Sequence, residues 1–196
     1  PIGVAAAVYL TEFSKGNTAR WIRFATNVLS GVPSIIAGVV TYGILVATKI
    51  VGYSAIAGGV ALSILMLPII VRTTDEALQL VSQDLRQAAV GIGATNYQTV
   101  LQVVLPAALP SIVTGVTLSV ARAAGETAPL IFTALFSGFW LRSLIDEPVA
   151  SLSVLVYNFA TSFDQNQQSV AWAASLILVL LVLTASIIAR FATRSK

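Results

Sequence analysis

Residues 50–71 read IVGYSAIAGGVALSILMLPIIV, 22 residues without a charge. About 20 apolar residues of helix cross the ~30 Å of a bilayer's hydrocarbon core. The run is continuous and not alternating, so it reads as a helix. A strand of a membrane barrel would show alternating segments of about 10 residues. Working outward, residues 24–48 and 87–121 are also uncharged, and so is 165–189, whose apolar part starts at Val170. The spacing predicts spans near 30–48, 53–71, 107–135 and 170–190. Residues 1–10 read as the tail of a further apolar segment, which makes five. The chain opens at Pro1, with no Met and no basic leader, and reads as a fragment of something longer.

Composition supports the same class. Of 196 residues, 57% are hydrophobic and 10% charged, with a mean hydropathy of +0.88. Soluble domains carry roughly 25% charged residues, and disordered chains are poor in apolar ones. The fold class expected is all-α, a polytopic transmembrane helix bundle in one domain over 1–196. Cys and His are absent, which excludes disulfides, Cys/His metal sites, Cys nucleophiles and His-based triads. No G-x-x-x-x-G-K-[ST] loop exists, and the only lysines are Lys15, Lys49 and Lys196. The chain therefore does not bind ATP by that device. The basic residues flank apolar runs and form no stripe of their own, so no nucleic acid is expected.

Charge placement sets an orientation. With 72–106 on the cytoplasmic side, Lys15, Arg20, Arg23, Arg72, Arg86, Arg190, Arg194 and Lys196 lie inside. Lys49 and Arg142 lie outside. Eight against two obeys the positive-inside rule. The segment 137–168, with Asp146, Glu147 and Asp164, is then external, and Trp140 and Trp172 suit the interface.

Residues 73–106 are too polar to span yet helix-compatible. Asp75 and Glu76 after Thr73 and Thr74 read as a helix start. A helix over 83–90 is interrupted by Gly91 and Gly93, and a second runs over 94–104 to Pro106. Ala88, Ala89, Gly91, Gly93 and Ala94 give a face of little bulk, which a partner's backbone can approach. A helical hairpin resting on the membrane surface reads equally well from composition.

In the fourth span, Arg122 stands roughly 18 Å from Pro110 at ~1.5 Å per residue. An ionised group at that depth costs at least ~2.5–3.5 kcal/mol on insertion scales, so it faces protein or water. Glu126, four residues on, shares its face. A structural ion pair is one reading. The other is an anion site: the Arg fork suits oxyanions, with Glu126 as resting counter-ion and Thr127 as a hydroxyl donor. Gly115, Ser119 and Ala123 form a small-residue stripe that reads as a packing seam. Pro68 and Pro129 bend or end helices.

Gln87-Ala88-Ala89, then Gly93, then Val103 and Leu105-Pro106, resemble the "EAA…G…I.LP" loop of ABC-importer permeases. Gln87 stands where most members carry Glu, so that charge is lost here. The blocks Gly31-Val32-Pro33-Ser34, Leu67 to Leu78 (LPIIVRTTDEAL) and Ala121 to Leu130 (ARAAGETAPL) are similar to permeases of phosphate importers. Gly125-Glu126-Thr127-Ala128-Pro129-Leu130 is nearer the A-type subunit (PstA-type) than the C-type. The resemblance implies a permease of the MetI-like fold with six spans, of which this stretch holds about five. It implies transport by alternating access and no catalysis by this chain. No cofactor is implied. The implied partners are a homologous second permease (PstC-type), a cytoplasmic ATPase dimer (PstB-type) and an extracytoplasmic phosphate-binding protein (PstS-type), in the lipid bilayer. By position, Gln87, Ala88, Ala89, Gly93, Ala94, Leu105 and Pro106 become the ATPase-coupling surface, and Arg122, Glu126 and Thr127 the substrate pathway. The loop 73–106 and the carboxyl end are then cytoplasmic. Sulfate or molybdate suits the same arginine, and a membrane scaffold that moves nothing is the remaining alternative.

Overall fold

The computed structural model describes residues 1–14 and 16–194, with side chains through Phe191; Lys15, Lys196 and the side chain of Arg194, all counted in the charge balance, lie outside the described residues. Among the described residues every regular element is helical. In order they are α1 (Ile2–Val8), α2 (Asn17–Ser30), α3 (Ser34–Thr41), α4 (Ala55–Gln79), α5 (Gln83–Gly91), α6 (Asn96–Thr99), α7 (Leu105–Gly125), α8 (Ala128–Thr133), α9 (Leu152–Ala160) and α10 (Gln165–Arg194). Widened π turns extend α1 through Tyr9–Phe13, extend α3 through Tyr42–Val46, and fuse α6 to α7 through Val100–Val104.

Among the described residues, three helices have the length and apolarity to cross a membrane: Ala55–Gln79, Asn96–Gly125 and Gln165–Phe191. Asn17–Ser30 with Ser34–Val46 makes a fourth if the two count as one broken span, and Ile2–Phe13 is a shorter apolar helix. The span expected at 30–48 starts at Ser34, because Pro33 holds an extended ψ of 139° and disfavours helix in the residue before it. Only 11% of the most apolar window of Gln165–Phe191 is buried within the chain. Its Leu176, Ile177, Leu181 and Ile188 are exposed, as a surface made for lipid or another subunit requires.

Three expectations are corrected. Thr73 and Thr74 do not start a helix: α4 runs through them to Gln79. The Thr73 hydroxyl donates back to the Ile69 carbonyl at 2.9 Å, so its polar group is satisfied inside the helix and offers no cap. The second loop helix does not stop at Pro106 but continues into the span. The Pro106 ring would strike the carbonyl four residues back, and the π turn at Val100–Val104 widens the helix there. Finally, the span expected over 107–135 is broken. α7 ends at Gly125 and α8 starts at Ala128, with Pro129 in its first turn. In a continuous helix that ring would meet the Gly125 carbonyl.

The chain forms two compact units. The first comprises Pro1–Ser30, Leu67–Ser119 and Ile187–Lys196. Its core joins Leu78 and Val81 to Val104, Ala108 and Ile112, with Val4 and Val8 of α1 packed on it. A second cluster joins Ala7, Leu10, Ala19 and Val71. Gly115 of the small-residue stripe packs against α4: a Cβ there would stand 2.7 Å from the Thr73 Cβ. Ser119 is buried and donates to the Gly115 carbonyl at 3.0 Å. The second unit comprises Gly31–Met66 and Val120–Ser186. Leu130, Ala134 and Val154 form its core, with Leu62, Ile131 and Phe136 against them. α3 and α8 meet backbone to backbone, since a Cβ on Gly38 would lie 2.6 Å from the Pro129 Cα.

Candidate functional site

Arg122 occupies the last turn of α7. Its cation is suited to that end, where unpaired carbonyls carry partial negative charge. Glu126 is the first residue past the helix, its N–H donating to the Ala123 carbonyl at 3.2 Å. The two side chains approach to 3.5 Å, Nε to Oε1, with Arg122 61% exposed and Glu126 18%. The pair therefore forms across a helix end and not along an unbroken helix. The break itself is pinned. The Ser153 hydroxyl, at the start of α9, donates to the Glu126 carbonyl at 3.0 Å, and the Thr127 hydroxyl reaches the Ser153 carbonyl at 3.5 Å. Thr127 is thus engaged with backbone.

The loop segment is an elbow of two helices. Ser82 caps α5, accepting from the Leu85 N–H. Thr95 and Gln98 form a reciprocal capping box at α6; the T-x-x-Q spacing is a helix-start signature that the sequence already carried. Gly93 lies between them at φ +91° with open space where a Cβ would sit. It is glycine for the turn, because an L side chain is strained at that φ. Gln87, Ala88, Gly93 and Pro106 are exposed and Ala94 is half-buried, while Ala89 is buried. Leu105 packs onto the core around Leu78 and Val104. Large apolar residues that sequence reasoning passed over are also exposed here: Ile92 at 89%, with Leu80 and Tyr97 also prominent.

Two ion-pair sets were also missed, because their partners are 52 and 74 positions apart. Arg86 of α5 donates through Nη1 to both carboxylate oxygens of Glu12 (2.6 Å to Oε1), and through Nη2 to the Leu78 carbonyl at 2.8 Å. Arg23 of α2 meets Asp75 of α4 at 3.0 Å, and the Thr11 hydroxyl donates to the same carboxylate at 2.6 Å.

The profile of the family described as binding-protein-dependent transport system inner membrane component matches residues 1–195. The chain belongs to that family. Phosphate transport system permease protein PstA of Haemophilus influenzae is 42% identical over 197 residues, covering 100% of this chain and 69% of that protein. The protein of the same name from Yersinia pestis is 40% identical, covering 97% and 64%. PstA 1 of Mycobacterium tuberculosis H37Rv is 37% identical, covering 96% and 61%. The chain thus spans about two thirds of the length of the curated relatives it matches. The likeness to phosphate permeases read from the motif blocks is borne out. Among solved structures, an inward-facing form of the MetNI methionine ABC transporter superposes with a TM-score of 0.82. It is 21% identical and covers 99% of this chain and 85% of that one. A second crystal form of that transporter gives 0.75 at 22% identity. At that identity the likeness carries the fold alone, and it bears out the all-α permease bundle. Family membership and the long apolar helices make the chain a multi-pass membrane protein. Permeases of this family serve ABC transporters together with other subunits.

Proposed function

We propose that the chain is the A-type permease subunit of an ATP-driven phosphate importer, which pairs with a homologous second permease to form the translocation pathway. A binding protein delivers phosphate outside, and ATPase subunits in the cytoplasm drive the switch of access. The orientation follows the positive-inside count, with the elbow and carboxyl end in the cytoplasm.

The observation that carries this reading is the Arg122–Glu126 pair. A guanidinium 61% exposed on an otherwise uncharged apolar helix cannot face lipid without a penalty of several kcal/mol. It needs water or another subunit in front of it, and a water-filled pathway between two permeases supplies both. Phosphate offers oxygens to the Arg fork, and Glu126 neutralises the cation when the anion has left. Contact at 3.5 Å across a helix end is loose enough to exchange partners, which conduction requires. The exposed Gln87, Ala88 and Gly93, with Ile92 and Tyr97 beside them, form the surface that docks on the ATPase. The permease itself catalyses nothing and holds no cofactor.

The test is uptake by the purified complex in liposomes, phosphate against sulfate. Arg122→Gln blocks phosphate movement while the assembled complex still isolates intact. Persisting uptake would make the pair structural, and sulfate uptake equal to phosphate would remove the substrate assignment. Gly93→Leu, which strains the turn, abolishes coupling without preventing membrane insertion.

A further inference from the structure

We infer that Glu12 and Arg86 are positioning residues for energy coupling: their buried ion pair passes the displacement of the elbow helix α5 to the first apolar helix of the chain. The inference rests on the docking role proposed for the elbow.

Three observations converge. Arg86 lies on α5, the helix that carries the exposed Gln87 and Ala88, while its own side chain turns inward and is only 16% exposed. The Glu12 side chain is 8% exposed, a depth that carboxylates seldom reach unless paired. One guanidinium also ties three elements at once: the π turn Tyr9–Phe13 through Glu12, the last turn of α4 through the Leu78 carbonyl, and α5 through its own backbone.

The π turn is a hub on its other side too. Neighbouring Thr11 holds Asp75 of α4, and Arg23 of α2 donates to both Asp75 and the Leu10 carbonyl, the latter at 3.4 Å. Successive residues 10, 11 and 12 therefore engage α2, α4 and α5. A π turn places side chains off the ordinary helical register, and such turns concentrate at functional sites.

Stability alone is a poor reason for this arrangement. A buried ion pair is often matched or bettered by packed apolar side chains. What charge-assisted hydrogen bonds from one guanidinium to a carboxylate and a carbonyl add is direction, whereas apolar contacts are non-directional and let α5 slide over the π turn. A link of fixed register moves the first helix when α5 moves.

The experiment uses the complete transporter in liposomes and reads phosphate taken up per ATP hydrolysed. Glu12→Gln is expected to lower that ratio about tenfold, within the ordinary range of coupling between sites, with the ATPase still copurifying. The double variant Glu12→Leu/Arg86→Leu refills the site with apolar volume. It is expected to recover the thermal stability of the wild-type complex but not its uptake ratio. A double-Leu complex that couples like wild type would show that packing suffices and overturn the inference. So would a Glu12→Gln complex with a wild-type ratio, or one that merely assembles poorly while its assembled fraction couples normally. Those results leave the importer reading standing. A wild-type complex that moves no phosphate on ATP hydrolysis overturns both.

Discussion

Two arginine–glutamate pairs in this chain have opposite surroundings. Arg86 and Glu12 are 16% and 8% exposed, and the guanidinium spends one further donor, Nη2, on the Leu78 carbonyl. Arg122 and Glu126 are 61% and 18% exposed and touch at one point, 3.5 Å apart. The first joins residues 74 positions apart in sequence; the second joins neighbours across a helix end. On the roles proposed above, the same two side chains serve as a strut in one place and an exchangeable contact in the other. Burial and the number of satisfied donors decide which, because a pair enclosed by protein has no competing partner, and a half-exposed one competes with water and any passing anion.

The largest effect that separates them is on stability. Arg86→Leu leaves the Glu12 carboxylate buried without a cation and is expected to cost about 3–5 kcal/mol. Arg122→Leu removes an exposed contact and is expected to cost under ~1 kcal/mol. Thermal unfolding of the detergent-purified complex measures both. Equal losses would erase the distinction.

How much of this was legible follows from where the partners sit. The apolar helices announced themselves through uncharged runs, and Arg122 with Glu126 through their local spacing. Glu12 and Arg86 have no such signal, since nothing in a pattern of 3.6 or 4 relates positions 12 and 86. Helix ends were misread where a local signal had a stronger competitor. Thr73 looked like a cap, but its hydroxyl is spent on Ile69. Pro129 looked like a bend and instead sits in the first turn of a new helix, where its missing N–H costs nothing. In the elbow, small residues were read as a contact face. The structure divides them: Ala89 is buried, Gly93 serves the turn, and exposed Ile92 supplies the bulk.

A second effect, smaller, concerns charge at the loose pair. Glu126→Gln keeps the shape and removes the resting counter-ion of Arg122. An exposed pair is worth up to ~1 kcal/mol, so the anion, freed from that competition, is expected to bind about fivefold tighter and to leave more slowly. Uptake kinetics would show a lower KM together with a lower maximal rate. A raised KM would mean that Glu126 orients the arginine and does not compete with the substrate.

The smallest effect probes what keeps the loose pair loose. The helix break at Glu126 and Thr127 is held on one side by α9, through the Ser153 hydroxyl on the Glu126 carbonyl at 3.0 Å and the Ser153 carbonyl near the Thr127 hydroxyl. Ser153→Ala removes the first of these and spares the second, which uses backbone. A neutral hydrogen bond is worth about 0.5–1.5 kcal/mol, so only a small loss of stability is expected. If α9 fixes where Glu126 sits, the variant shifts uptake towards the Glu126→Gln behaviour, with lower KM and rate, at almost unchanged thermal stability. If the break is held by Pro129 alone, backbone packing against Gly38 keeps it in place and transport is unaltered. The second result would move the origin of the exchangeable contact from a side-chain clasp to the α3–α8 backbone seam.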